Sequence, residues 1–221
     1  EEAFIDMIDR PELVHAALAR LLDAFQSRLD AYERLGVLSP TNGPMRVGSG
    51  GYACTDELPE AGGPPGSVTP SQQWGCGNAQ ILSGVSPAMH EEFSLRYERQ
   101  WLRRFGITYY GCCEALHTKM DLLASIPNLR KVSVSPWADV AAMAAGIGGR
   151  YVLSYKPNPA VFVDPGGWHP ERVRRELAAV LDRSRGCWLE IILKDISTVS
   201  GHPERLWSWA DLAVGVVEGR S

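Results

Sequence analysis

Strand-like and helix-like segments alternate through the second half of the chain, and this order constrains the fold more than any other feature. Short apolar segments are followed by longer amphipathic ones from residue 107 to residue 218. Pro170 and Pro203 mark the starts of two predicted helices, where a missing N–H is tolerated. A chain that repeats strand and then helix builds a parallel sheet covered by helices. The sequence therefore predicts an α/β fold.

Both an open doubly wound sheet and a closed barrel fit this order. No Gly-x-Gly-x-x-Gly motif opens a helix after a strand, which weakens the dinucleotide-binding alternative. A full (β/α)8 TIM-type barrel needs about 250 residues and eight strands, whereas this chain has 221 residues. We predict a single domain, residues 1–221, that forms an incomplete (β/α)8 barrel with about five parallel strands. The predicted strands are 45–54, 107–113, 131–136, 151–155 and 188–194, and the predicted helices are 11–35, 86–106, 116–125, 138–146, 170–183 and 203–218.

Composition excludes several classes of protein. The formal net charge is −4 with mixed signs and no basic stripe, so no nucleic-acid partner is expected. No apolar run approaches the roughly 18 residues of a membrane span, and we expect no signal peptide. Five cysteines, of which two are adjacent, indicate reduced thiols and a cytoplasmic protein. Residues 56–80 are rich in Gly, Pro and Ser and predict a long lid or binding loop.

The junction after the strand predicted at 107–113 gathers side chains that bind metals and transfer protons. Cys112, Cys113, Glu114 and His117 lie within six residues of one another. Strand-to-helix junctions form the active sites of such folds. We interpret Cys112 and Cys113 as metal ligands or nucleophiles. Glu114 and His117 would be further ligands or a general acid–base pair.

Each of these four residues also has a structural alternative. Adjacent side chains of a strand point to opposite faces, so only one of Cys112 and Cys113 is expected to face the interior. Both could be small buried hydrophobic residues. Glu114 and His117 are three residues apart, and one helical turn would place them on the same face. Alternatively, Glu114 stabilises a helix N-terminus and His117 lies on the surface.

Charged and polar residues also end two later strands. Lys156 and Asn158 follow the strand at 151–155 and are predicted to hold an anionic substrate group. Lys194 and Asp195 end the strand at 188–194, where Asp195 would act as a base or ligand and Lys194 would set its charge. The alternatives are a solvated lysine in a stiff loop and a local salt bridge.

Trp137 and Asp139 follow the strand at 131–136. Trp137 would stack on a planar ligand, so we include it among the substrate-binding candidates. For Asp139 we favour the structural interpretation, in which its carboxylate caps the next helix.

The order of these segments is similar to the uroporphyrinogen decarboxylase superfamily, which includes the cobalamin-linked methyltransferases. The resemblance extends over nearly the whole chain, although its individual motifs are only moderately specific. It implies a (β/α)8 barrel whose first three strands would precede residue 1. The matching segments are Arg10-Pro11-Glu12-Leu13-Val14-His15, Ser86-Pro87-Ala88-Met89-His90-Glu91-Glu92-Phe93, the strand that ends at Cys112, and Leu193-Lys194-Asp195-Ile196-Ser197.

The resemblance also implies a cofactor and a set of ligands. The methyltransferase branch holds zinc with a His-x-Cys pair at the end of the fifth strand and with a later Cys. Cys112 falls on the cysteine of that pair, but Tyr110 stands at the histidine, and the later cysteine region reads Lys194-Asp195. Zinc would therefore need a rewired site of Cys112 or Cys113 with Glu114, His117 or Cys54. We assign Tyr110 to substrate binding.

Three functions remain open at this point. The first is a methyltransferase that uses zinc or a thiolate and a corrinoid, with a corrinoid protein as partner. The second is a metal-independent carboxy-lyase that acts on a polycarboxylate such as a porphyrinogen. The third is a non-catalytic subunit that completes a barrel with an N-terminal partner chain or in a homo-oligomer. The first two predict a small-molecule substrate. The chain begins at Glu1 rather than Met, so we expect an N-terminal part that is cut away, not seen or on another chain.

Overall fold

The computed structural model describes residues 2–58 and 66–219. The helices are α1 (Glu2–Asp9), α2 (Pro11–Arg34), α3 (Pro87–His90), α4 (Arg96–Leu102), α5 (Met120–Leu123), α6 (Val140–Ile147), α7 (Pro170–Arg183) and α8 (Glu204–Val217). The strands are β1 (Arg46–Val47), β2 (Gly51–Tyr52), β3 (Trp74–Gly77), β4 (Ile107–Tyr110), β5 (Leu129–Val134), β6 (Val152–Tyr155) and β7 (Trp188–Ile191). A wider turn, Glu91–Leu95, joins α3 to α4, and single 3₁₀ turns occur at Pro70–Gln72, Gln80–Leu82, Leu116–Thr118 and Pro159–Phe162.

Five strands form one parallel sheet flanked by helices. The strand order is β3-β4-β5-β6-β7, so each strand pairs with its neighbour in the chain. This order arises when every connection turns in the same sense. It confirms the predicted α/β class and is compatible with part of an α/β barrel. In the described residues β3 and β7 form the two edges of the sheet, and a closed TIM-type barrel stays a prediction.

The first strand of the sheet is not the predicted one. The strand predicted at 45–54 is an antiparallel hairpin of β1 and β2, and its turn contains Gly48 and Gly50, which have positive φ angles of 57° and 110°. The sheet instead begins with β3, inside the predicted loop 56–80. With only four residues, two of them glycine, β3 shows little strand-like pattern, and its pairing with β4 defines it. Residues 59–65 of the predicted loop lie outside the described residues.

The two faces of the sheet differ in polarity. The helix-covered face carries the main apolar core, which includes Val132, Val134 and Leu153. The β1–β2 hairpin packs on the opposite face, here called the hairpin face, whose side chains are largely polar. The residues that define the hairpin face are Tyr109, Lys131, Ser133, Ser154 and Glu190. Most of its polar groups are buried and hydrogen-bonded, as is usual for buried polar groups, although Glu190 Oε1 has no hydrogen-bond partner among the described residues.

Helix positions agree well with the sequence pattern where the pattern is long. The predicted helices 11–35, 170–183 and 203–218 correspond to α2, α7 and α8. The helix predicted at 116–125 is instead a 3₁₀ turn followed by α5, which has only four residues. The strands predicted to end at residues 113 and 194 end earlier, at Tyr110 and Ile191. The side chains of the residues that follow them therefore need not point to alternate faces of the sheet.

Close packing of the hairpin predicts a large effect at Gly48. A Cβ atom there would lie 2.2 Å from the Tyr109 ring, whereas one at Gly148, which also has a positive φ, meets nothing within 4 Å. Alanine at either position would carry backbone strain. We expect Gly48→Ala to lower the free energy of unfolding by about 2 kcal/mol more than Gly148→Ala, because of overpacking. Urea denaturation measures the difference, and equal losses would contradict this packing.

Candidate functional site

Four residues that follow β4 and β7 form a compact group, here called the thiol cluster: Cys112, Cys113, Lys194 and Asp195. The Lys194 Nζ atom lies 3.6 Å from Cys112 Sγ and 3.8 Å from Cys113 Sγ. It also forms an ion pair with Asp195 at 3.0 Å. The two sulfur atoms are 3.7 Å apart, and Cys113 Sγ lies 3.8 Å from Asp195 Oδ2. The carboxyl ends of parallel strands meet at one edge of the sheet, which brings these groups together.

Both cysteines reach this cluster because the strand stops before them. β4 ends at Tyr110, and Gly111 then has a φ of 96°, a conformation that favours glycine. A Cβ at Gly111 would also lie 2.7 Å from a Leu116 methyl group. The prediction that strand alternation turns only one of Cys112 and Cys113 inward was therefore wrong, since neither residue is in the strand.

The charges in the thiol cluster stabilise one another. Partial burial alone would lower the pKa of Lys194, but the hydrogen bond to Asp195, the charge of Asp195 and the negative charge that either sulfur carries as a thiolate outweigh it and raise that pKa. Burial and the contact with Cys112 raise the pKa of Cys113 to about 11. Lys194 therefore stays an ammonium at neutral pH, and Cys113 stays a thiol that can donate a hydrogen bond. The predicted local salt bridge between Lys194 and Asp195 is present, and it adjoins both sulfurs.

Lys156 lies beside the cluster, on the hairpin face after β6. Its side chain is buried, and Nζ donates to the Tyr109 hydroxyl, to the Ser154 hydroxyl and, at 2.9 Å, to the Ser154 carbonyl oxygen. Burial lowers the pKa of Lys156 to about 7; Glu190 opposes that change, and the positive charge of Lys194 adds to it. The predicted lysine at the end of β6 is thus an enclosed amine rather than a solvated one.

Tyr110 does not face the thiol cluster, and its assignment to substrate binding stays a prediction. Its hydroxyl donates to Glu98 Oε2 at 2.7 Å and lies 2.8 Å from His90 Nε2, on the helix-covered side of the sheet. Side chains alternate along β4, so its neighbour Tyr109 occupies the hairpin face instead. The Tyr109 hydroxyl lies 3.0 Å from Ser49 Oγ and 3.1 Å from Ser154 Oγ.

Glu114 and His117 are not a pair on one helical face. Glu114 is buried, and its two oxygens accept the backbone N–H groups of Ala79 at 2.9 Å and Cys112 at 2.8 Å. His117 Nδ1 accepts the Asp139 backbone N–H at 3.3 Å. The helix that would have aligned Glu114 and His117 does not form, because only a 3₁₀ turn begins after Ala115. The geometry supports Glu114 as a positioning residue that holds the Cys112 loop against the loop after β3.

This role of Glu114 predicts a measurable loss of stability. In Glu114→Gln one carboxylate oxygen becomes an NH₂ group, which cannot accept a backbone N–H and leaves that buried donor unpaired. We expect the free energy of unfolding to fall by about 2 kcal/mol. Urea denaturation tests this, with the exposed Glu12→Gln on α2 as the control. Equal stability of the two variants would rule out the positioning role.

Four further candidates lie away from the thiol cluster. Asn158 Oδ1 accepts the Ala160 N–H at 2.9 Å and caps the 3₁₀ turn Pro159–Phe162. Its side-chain oxygen is therefore already hydrogen-bonded to the backbone. Asp139 caps α6 through the N–H groups of two alanines, which confirms the structural interpretation. Trp137 is exposed in the turn before α6. Cys54 contacts the Gly43 carbonyl oxygen at 3.0 Å and does not join the cluster.

Sequence reasoning missed the polar residues of the hairpin face. Lys131 Nζ forms an ion pair with Glu190 at 3.0 Å, and Ser133 Oγ donates to the Cys112 carbonyl oxygen at 2.8 Å. The signal was present in the sequence. In Lys131-Val132-Ser133-Val134, polar and apolar residues alternate, which is typical of a strand with one polar face.

Zinc, which the resemblance implies, does not fit the cluster as it is arranged. Two thiolates on one tetrahedral zinc ion lie about 3.8 Å apart, close to the 3.7 Å observed between the two sulfurs. However, the Lys194 ammonium already contacts both sulfurs and Asp195. Within the residues that the structure describes, no group of three or more His, Cys, Asp and Glu side chains could hold a metal ion.

Comparison of the chain with protein-family models, with curated proteins and with solved structures found no match. The resemblance to the uroporphyrinogen decarboxylase superfamily therefore stays a prediction. No helix of the described residues combines the length and the apolar character of a membrane span.

Proposed function

We propose that this protein is of the uroporphyrinogen decarboxylase-like class and accepts one methyl group per molecule on the sulfur of Cys112, which becomes a stable thioether. One observation carries this proposal: the Lys194 ammonium lies within 3.8 Å of both sulfurs and is itself held by Asp195. A cation that donates to a sulfur favours its thiolate form, and the thiolate is the nucleophile. Lys194 would thus take the electrostatic role that a metal ion has in related chemistry.

The transfer is a simple displacement. The Cys112 thiol first loses its proton to solvent, and the thiolate then attacks the methyl carbon of an electrophilic donor. The S–C bond forms while the bond between the carbon and the donor breaks, and the electron pair leaves with the donor. Lys194 and the Cys113 thiol are placed to donate to Cys112 Sγ. A methylated corrinoid, presented by a corrinoid protein, is the donor class that the resemblance implies.

A second candidate is a metal-independent carboxy-lyase. The observation that favours it is the closeness of two lysines: the charge of Lys194 acts on buried Lys156. Lys194, which is only partly buried, could bind a carboxylate of a polycarboxylate substrate, and buried Lys156 would add to the positive potential there. The barrel-completing subunit remains a third proposal, because β3 and β7 form the edges of the sheet in the described residues.

Methylcobalamin consumption in the presence of a strong chelator separates the first two candidates. We expect the absorption spectrum of methylcobalamin to change in proportion to the protein concentration. The rate of this change should be the same with and without the chelator, and no CO₂ should be released from added polycarboxylates. Chelator-resistant CO₂ release without methylcobalamin consumption would favour the carboxy-lyase. Loss of both activities in the chelator, with recovery on adding zinc, would contradict the metal-free site.

A further inference from the structure

A concave site separate from the thiol cluster lies beside the end of β3. A partly open cavity of about 630 Å³ is lined by α1, α2, the end of β3 with the residues after it, and α4. This volume is in the range of small-molecule binding sites. The surface is predominantly apolar, and none of its lining residues belongs to the thiol cluster. The cavity is therefore independent of the proposed methyl transfer.

Aromatic rings form much of its wall. Phe25 of α2 and Trp101 of α4 have ring centroids 6.1 Å apart, and Phe93 and Tyr97 also line the cavity. Faces of aromatic rings carry negative partial charge and attract organic cations, particularly where water is excluded.

The cavity also contains a carboxyl group without a cationic partner. Glu98 lines the cavity, and its Oε2 atom accepts the hydroxyls of Ser94 and Tyr110, each at 2.7 Å. In the part of the chain that the structure describes, no ion pair joins Glu98 to a Lys, Arg or His side chain, whereas Glu91 on the same segment is paired with Arg99. Glu98 is half-buried, and burial raises the pKa of its carboxyl group, so a positive charge bound beside it would favour its ionised form.

We propose that this cavity binds a small organic cation with an apolar body, such as a substituted ammonium compound, whose charge pairs with Glu98. The apolar walls would enclose the body of the ligand, and the aromatic rings would surround its charged head. Ser94 and Tyr110 hold the carboxylate in place, because each donates its hydroxyl hydrogen to it. The ligand would supply the cation that the protein itself does not provide there.

Matched ligands test the proposal. Benzyltrimethylammonium and its uncharged isostere neopentylbenzene have the same shape and differ only in charge. By calorimetry, we expect the purified protein to bind the cation on the order of tenfold more tightly than the isostere. In Glu98→Gln this preference should fall to the smaller contribution of the aromatic rings, while binding of the isostere remains.

Two variants on α2 locate the binding site. Leu21 and Leu13 are 54% and 52% exposed, so either should tolerate tryptophan, but only Leu21 lines the cavity. Leu21→Trp should weaken binding of both ligands on the order of tenfold, and Leu13→Trp should bind like the unaltered protein. No binding, equal binding of both ligands to the unaltered protein, or equal behaviour of the two tryptophan variants would overturn the proposal. None of these results depends on methyl transfer.

Discussion

Replacement of Cys112 by serine is expected to reduce methyl transfer by a factor on the order of a thousand or more, because the variant lacks the attacking sulfur. A serine hydroxyl at the same position is far less acidic and stays protonated at neutral pH. The variant should fold normally, since Cys112 is only partly buried and Glu114 binds its backbone N–H rather than its side chain. The measurement is the initial rate of methylcobalamin consumption at equal protein concentration.

Two other replacements make this prediction specific. Cys187 is also half-buried, but its sulfur contacts the Ala144 carbonyl oxygen at 3.5 Å, away from the thiol cluster. Cys187→Ser should therefore keep the full rate. Lys194→Met should give a rate between those of Cys112→Ser and the unaltered protein, since the thiol remains and its cationic donor is lost. Full activity of Cys112→Ser would end the assignment of Cys112 as methyl acceptor.

Buried Lys156 is expected to make stability depend on pH in a characteristic direction. The pKa of Lys156 is lowered from 10.5 to about 7 in the folded protein. Between these values the unfolded chain binds more protons than the folded one, so the free energy of unfolding rises with pH. Below about pH 7 the full penalty is present, and it corresponds to about 5 kcal/mol. Near pH 10 most of this penalty is gone.

Lys156→Met removes this titration. In the difference in free energy of unfolding between Lys156→Met and the unaltered protein, the contributions of the other titrating groups cancel. The stability advantage of Lys156→Met over the unaltered protein should be greatest near pH 6.5. By pH 9.5 it should have fallen by several kcal/mol. Urea denaturation across this range provides the test. A difference that stays constant with pH would show that Lys156 titrates normally in the folded state.

Long periodic segments made much of the fold predictable. α2 and α7 have apolar residues at helical spacing over many turns, and Pro11 and Pro170 stand at their first positions. Strand β3 was missed because Trp74-Gly75-Cys76-Gly77 has no alternation of its own and depends on pairing with β4. Sheet membership set by a neighbouring strand cannot be seen in a four-residue segment.

The site was predictable to the level of strand ends but not of single side chains. Parallel strands place their carboxyl ends together, and Cys112 and Lys194 do meet there. Which of Tyr109 and Tyr110 faces the hairpin depends on register, and a shift of one residue exchanges them. The partners of Glu114 were also hidden, because they are backbone N–H groups, one of them 35 residues away in the chain.

The central claim is that Lys194, rather than a metal ion, activates the Cys112 sulfur for methyl transfer. Peptide mass spectrometry after reaction of chelator-treated protein with methylcobalamin tests this claim most directly. The account predicts the mass of one added methyl group on the peptide that contains Cys112, formed much more slowly in Lys194→Met. An unmethylated Cys112 peptide, or one methylated only after zinc is restored, would contradict it.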